Sequence, residues 1–159
     1  MGGRTRRPPC PIFEIVSRPL EILGLDHVVI RVTDLERSLR FYRDALGCGE
    51  ERRLDALGLI QLRAGSALID LVPVDSSLGR AGGGPPVQNG KNVDHFCLQL
   101  ERLDEPALRA HLASHQIEAG EVAERYGALG NGPSIYIRDP DGNVVELKGP
   151  PPRGEDRGL

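Results

Sequence analysis

The chain has 159 residues, 39% of them hydrophobic, enough to bury the core of one ordinary domain. Its 20 Lys and Arg against 23 Asp and Glu give a formal net charge of −3, which argues against a protein that coats nucleic acid, whose footprint is basic. No stretch reaches the ~20 consecutive apolar residues of a membrane-spanning helix, and 4% aromatics with no Trp leave little stacking surface.

Residues 1–24 carry Arg4, Arg6 and Arg7 but no sustained apolar run, so they read as a flexible arm rather than a secretory leader. Cys10, Cys48 and Cys97 are far apart and form no CxxC, which argues against a disulfide framework and points to a reducing cytoplasm. A strand is predicted over 25–32. Thr33 and Glu36 stand at capping-box spacing, Leu35, Leu39, Tyr42 and Leu46 recur at helical spacing, and Gly47 is a natural stop, so 34–46 is predicted as one helix. Strands follow near 49–55, 58–64 and 67–73. Residues 74–92, which include SSLGRAGGGPP, form a linker. The plan then repeats. A strand at 93–100 precedes a helix near 104–115 with Pro106 in its first turn, and strands follow near 117–123, 133–138 and 143–148. The expected fold is α+β: two βαβββ modules, 25–73 and 93–148, pairing into an open, cup-shaped sheet with helices outside. Together they make one domain over 25–148, followed by a tail at 149–159.

The repeat extends to side chains. Leu25-Asp26-His27-Val28-Val29-Ile30 matches Val93-Asp94-His95-Phe96-Cys97-Leu98, and Leu68-Ile69-Asp70-Leu71 matches Val144-Val145-Glu146-Leu147. The second half needs a longer insertion to hold both matches, and Glu124–Gly132 is the natural place for it. Alternation puts His27, Val29 and Arg31 on one strand face, and His95, Cys97 and Gln99 on the equivalent one. A His or carboxylate among apolar neighbours is costly to bury unpaired. Any one of them could be a hydrogen-bonded core residue, Asp70 could cap a turn, and Glu146 could pair with Lys148 or Arg138. Four such residues, placed twice over by one repeat, point instead to a shared divalent metal. Asp139-Pro140-Asp141-Gly142-Asn143 is strong turn chemistry. With the turn there, Arg138 faces Val144 and Tyr136 faces Glu146, which makes Ser134, Tyr136 and Arg138 candidate substrate contacts.

These segments, LDHVVIRVTDLERSLRFYRDALG (25–47), VDHFCLQL (93–100) and SIYIRDPDGNVVEL (134–147), resemble the vicinal oxygen chelate superfamily, the glyoxalase, bleomycin-resistance and ring-cleaving dioxygenase group. The resemblance covers about 22–149 and is far more specific for fold than for reaction. It implies a divalent metal (Ni, Co, Zn, Mn or Fe) held by His27, Asp70, His95 and Glu146, a homodimer, and Glu146 with Asp70 as proton-transfer groups. The family's second position is usually Glu or Gln, so the shorter Asp70 would ligate at a stretch or through water. His27, His95 and Glu146 alone would look more like the dioxygenase pattern. Only Arg31 and Lys148 point the right way for a thiol cosubstrate such as glutathione, and the basic residue that fosfomycin-modifying members carry after the last strand has no clear match, Glu155 sitting in that region.

Three functions follow. The first is a metal-dependent lyase or isomerase acting on a small carbonyl or hydroxy-carbonyl compound. The second is an Fe(II) ring-cleaving dioxygenase. The third is a non-catalytic protein that sequesters a drug or metabolite. The expected partners are a small-molecule substrate and a second copy of the chain, with no nucleic acid and no membrane. Gly127, Gly130 and Gly132 lack the order of a phosphate-binding loop and suggest a lid. His111 and His115, four apart, read as ordinary surface histidines, and Arg37, Arg40 and Arg43 as a solvated helix face.

Overall fold

The structure, a computed structural model, describes residues 22–87, 89 and 93–152. The expected N-terminal arm up to residue 21, the last part of the linker and the tail beyond residue 152 lie outside the described residues. The element order is β1 (His27–Val32), α1 (Leu35–Leu39) running into a π-helical segment (Arg40–Ala45), β2 (Gly49–Leu54), β3 (Leu59–Ala64) and β4 (Ala67–Pro73), then β5 (His95–Gln99), α2 (Glu105–Ser114), β6 (Ala123–Gly127), β7 (Gly130–Arg138) and β8 (Val144–Lys148). A short 3-10 turn, Gly79–Gly82, lies between the halves.

The strands form two four-stranded sheets, β1-β4-β3-β2 and β5-β8-β7-β6. In each, the first strand runs parallel to the last and the other pairings are antiparallel. This is the α+β, twice-repeated βαβββ plan, with no closed barrel. Both halves share one core: Ile30, Val32, Ile69 and Leu71 from the first sheet join Leu39, Phe41 and Tyr42 from the helical segment and Ile135, Ile137, Val145 and Leu147 from the second sheet. Neither half alone holds enough apolar surface for a comfortable core, and the shared cluster supplies it.

Three local expectations are corrected. The helix is capped by Asp34, whose side chain accepts from Arg37 N at 3.0 Å, and not by Thr33. Thr33 is turned away to Asp141 of the β7–β8 turn. Beyond Leu39 the helix is π rather than α, with Leu46 N bonding back to Phe41 O at 3.0 Å. That widened turn buries the adjacent Phe41 and Tyr42 together, and Tyr42 Oη donates to buried Asp139 at 2.7 Å. Gly47 ends the segment at φ +75°, as a left-handed stop requires. The third correction is β6, which lies at 123–127 and not 117–123; residue 119 makes only an isolated bridge to Ile137. The expected insertion at Glu124–Gly132 is a tight hairpin, in which Gly127 pairs with Gly130 across a two-residue turn. The glycines read as a lid therefore sit in strand ends.

Candidate metal centre

Parallel pairing gives β1 and β4 a common face. His27 is registered with Leu68 and Val29 with Asp70, so His27 and Asp70 lie on the same side. β5 and β8 repeat this, with His95 opposite Val144 and Cys97 opposite Glu146. The alternate residues, Ile30 and Val32 in one strand and Val145 and Leu147 in the other, face the core. The candidate donors are therefore carried on the faces directed away from it.

Both histidines are held in the same way by the residue before them. His27 Nδ1 lies 2.6 Å from Asp26 Oδ1, and His95 Nδ1 lies 2.7 Å from Asp94 Oδ2. A carboxylate on Nδ1 orients the ring, fixes the tautomer and leaves the Nε2 lone pair available to a cation, as at metal-binding histidines. The hydrogen bond that His27 makes to Asp26 also raises the imidazole above its ordinary pKa, and the nearby Asp70 charge adds to the effect. Asp26 and Asp94 were visible in the sequence as half of the repeated Asp-His pair, yet only the histidine was assigned a role.

The acids differ. Asp70 is 4% exposed, and both of its oxygens accept from Gln61 Nε2, at 3.1 and 3.0 Å. Gln61 is its register partner on β3, a contact the hairpin turn at Gly65 made available to sequence reasoning. Glu146 is 6% exposed; its Oε2 lies 3.3 Å from His95 Nε2, while Oε1 is buried with no hydrogen-bond partner. A buried carboxylate oxygen left without a donor is costly, and a cation on the open side of His95 would satisfy it. The donor set of imidazole and carboxylate fits a divalent transition ion. Cys97 stands beside them. Burial, and then the adjacent Glu146 carboxylate, push its thiol up to about 11. Among the described residues no three His, Cys, Asp or Glu side chains of one chain converge on a common point. The four candidates come as two pairs, one per module.

The candidate substrate residues divide as well. Tyr136 is registered with Glu146, as the turn predicted, and packs edge-on to the His95 ring at 5.3 Å. Arg125 lies over the Tyr136 ring at 4.4 Å and donates to Ser134 Oγ at 2.9 Å, so buried Ser134 is already engaged. Arg125 lies on β6, beyond the strand expected at 117–123, so alternation along that expected strand does not reach it. Arg31 donates from Nη1 and Nη2 to the carbonyls of Gly82, Gly83 and Gly84 at 2.6–3.0 Å, tying the linker to β1, while its Nε is buried without a partner. Exposed Arg138 lies at the β7–β8 turn, 3.4 Å from Gly142 O. His111 bonds Ala45 O at 2.7 Å through Nε2, a structural contact.

Two cavities border these residues. The larger, about 1030 Å³, lies between Arg37 and Arg40 of the helical segment and Tyr136 and Arg138 of β7, and none of the four candidate ligands lines it. The smaller, about 320 Å³, is walled by His95, Cys97, Glu146 and Lys148, with the Gly127–Leu129 turn at its rim. Two of the four candidate donors, His95 and Glu146, line the smaller one.

Residues 24–147 match the family model of the Glyoxalase/Bleomycin resistance protein/Dioxygenase superfamily, and the chain belongs to that superfamily. It is similar to Virulence protein STM3117 of Salmonella typhimurium, 29% identical over 77% of this chain and 81% of that protein. The crystal structure of that protein aligns with a TM-score of 0.64. It is also similar to Glyoxalase domain-containing protein RDO1 of Mycosarcoma maydis, 30% identical over 82% of this chain and 70% of that one. A crystal structure of lactoylglutathione lyase from Agrobacterium tumefaciens, 25% identical, covers 83% of this chain and 96% of its own with a TM-score of 0.58. Among the described residues no helix is long and apolar enough to cross a membrane.

Proposed function

We propose that the protein is a divalent-metal-dependent lyase or isomerase of the glyoxalase type, acting on a small carbonyl or hydroxy-carbonyl substrate. The observation that carries this reading is the Glu146 carboxylate, one oxygen 3.3 Å from His95 Nε2 and the other buried without a partner. His27, Asp70, His95 and Glu146 would hold the ion (Ni, Co, Zn, Mn or Fe). When bound, it would supply Lewis-acid polarisation of the substrate carbonyl. His27 and His95 would ligate it through Nε2, their rings held by Asp26 and Asp94 at Nδ1. Glu146 would take and return the proton at the carbon next to the carbonyl, the role of a carboxylate that loosens from the ion during turnover. Asp70 is the second carboxylate, restrained by Gln61. The lactoylglutathione lyase likeness supports a lyase of this kind.

The two donor pairs do not meet within one chain, so the site is completed by a second copy, the His27–Asp70 wall of one facing the His95–Glu146 wall of the other. Val29, 52% exposed beside His27, and Leu25, 73% exposed, leave apolar surface on that side for a partner to cover. Free Cys48 and Cys97 accord with the reducing cytoplasm as the compartment.

A second reading is an Fe(II) ring-cleaving dioxygenase using His27, His95 and Glu146. The engagement of both Asp70 oxygens by Gln61 favours such a three-donor set. Elemental analysis of the purified protein separates the readings. Nickel, cobalt or zinc lost in both His95→Ala and Glu146→Gln supports the lyase, and iron with oxygen uptake supports the dioxygenase. A protein that holds no divalent metal, and binds its ligand equally well as His27→Ala, would be the sequestering type.

A further inference from the structure

Lys148 ends β8 two residues after Glu146, on the same face, and is only 7% exposed. Its Nζ donates to Arg125 O at 2.6 Å and to Gly132 O at 3.1 Å. Both acceptors are neutral carbonyls, and no ion pair forms between Lys148 and any carboxylate among the described residues. An ammonium has three donors, so one remains, on a buried cation with no counter-charge in contact, a costly arrangement unless something pairs it. Lys148 also lines the 320 Å³ cavity that holds His95 and Glu146. Glu146 forms no ion pair with it: one carboxylate oxygen is directed to His95 and the other has no partner.

The side chain's path is built into the hairpin above it. Gly127 does not need a positive φ, yet a Cβ there would fall 2.7 Å from Lys148 Cε. The bare Cα leaves room for the lysine to run beneath the β6–β7 turn towards the cavity. A cation threaded under a hairpin, tied by two carbonyls and left with one donor, is a preorganised anion contact.

We propose that Lys148 receives an acidic group, a carboxylate or a phosphate, carried by the substrate at the end remote from its paired oxygens. The substrate class is thus narrowed to small hydroxy-carbonyl compounds bearing one negative group, of a size suited to a cavity at the lower end of the ~300–1,000 Å³ range of ligand sites. This rests on reading His95 and Glu146 as the substrate-facing wall of the metal centre.

Matched probes test it by titration calorimetry on the full chain, both metal-loaded and EDTA-treated. Dihydroxyacetone phosphate is compared with dihydroxyacetone, and hydroxylevulinate with hydroxypentanone, so that each pair differs only in the acidic group. At least one acidic probe should bind about tenfold tighter than its neutral partner, the value of one charge-assisted hydrogen bond. The pair that shows the difference identifies phosphate or carboxylate. Lys148→Gln, which keeps donors but not charge, should reduce the preference to within about twofold, and Lys148→Arg should keep it. In the wild-type protein the acidic probe should move the Lys148 side-chain and Gly127 amide resonances, which its neutral partner leaves in place, so the test does not depend on a variant folding. Equal binding of acid and neutral probes, a preference that survives Lys148→Gln, or shifts confined to another surface would overturn the inference. Metal content measured on the same samples reads the metal centre separately. A protein that binds metal but shows no acid preference rejects only the Lys148 role, and one that prefers acids without metal rejects only the metal centre.

Discussion

The two modules place the same pair of residues, a histidine on the first strand and an acid on the last, in unlike surroundings. In the first, the His27 side chain is 47% exposed, and Asp70 gives both oxygens to Gln61. In the second, the His95 side chain is 33% exposed, its Nε2 reaches Glu146, and one Glu146 oxygen is buried unpartnered beside a cavity. At the donor pair the acid of the first module is satisfied and that of the second is not, although each module holds one buried side-chain atom without a partner, Arg31 Nε in the first and Glu146 Oε1 in the second. A repeat in sequence therefore does not imply equal surroundings for the repeated side chains: of the two acids, only Glu146 keeps an oxygen without a partner.

That contrast can be broken most sharply at Glu146. Glu146→Gln or His95→Ala should lower metal affinity by more than about 100-fold, beyond the ~10–100-fold that loss of an outer-shell partner costs. Asp70→Asn should cost at least tenfold less than Glu146→Gln, because Gln61 already satisfies the carboxylate it replaces; competition with a chromogenic chelator measures both. Equal losses at Asp70 and Glu146 would erase the distinction between the modules. Asp94→Asn should fall between, lowering affinity by ~10–100-fold without unfolding the chain, and Asp26→Asn should have the smaller effect because the His27 side chain is more exposed. The smallest effect on metal is expected at the contact joining the modules. Tyr42→Phe leaves metal affinity unchanged but costs about 1–3 kcal/mol of stability, since buried Asp139 loses one donor while keeping Asn143 and the Asp141 amide. Urea unfolding at constant m-value checks it.

The fold was legible where local chemistry and alternation agree. Asp139-Pro140-Asp141-Gly142-Asn143 set the β7–β8 register, and with it the pairing of Tyr136 to Glu146. The β6–β7 hairpin was not legible, because Ala128-Leu129 carries none of the Asn-Gly or Asp-Gly chemistry that announces a two-residue turn. Its glycines suggested an insertion instead, and Arg125 and its contact with Ser134 were lost with the register. The π segment was hidden because one widened turn barely changes the spacing of Leu35, Leu39, Tyr42 and Leu46. At the site, the residue types of the four candidate ligands were readable from the repeat. Their satisfaction was not: only the three-dimensional contacts separate Asp70, held by Gln61, from Glu146, left with a free oxygen. Arg31 shares a face with His27, as parity required, but parity does not reveal the carbonyls that occupy its guanidinium.

The claim on which the rest depends is that the first-module pair of one copy and the second-module pair of another complete one metal centre. Mixing two inactive variants tests it directly: His27→Ala/Asp70→Asn in one chain and His95→Ala/Glu146→Gln in the other, unfolded together, refolded, and assayed for bound metal. Each variant alone should hold none. The mixture should regain about one metal per mixed dimer, since one of its two sites then receives intact pairs from both chains. A mixture that stays as empty as its components would contradict the account.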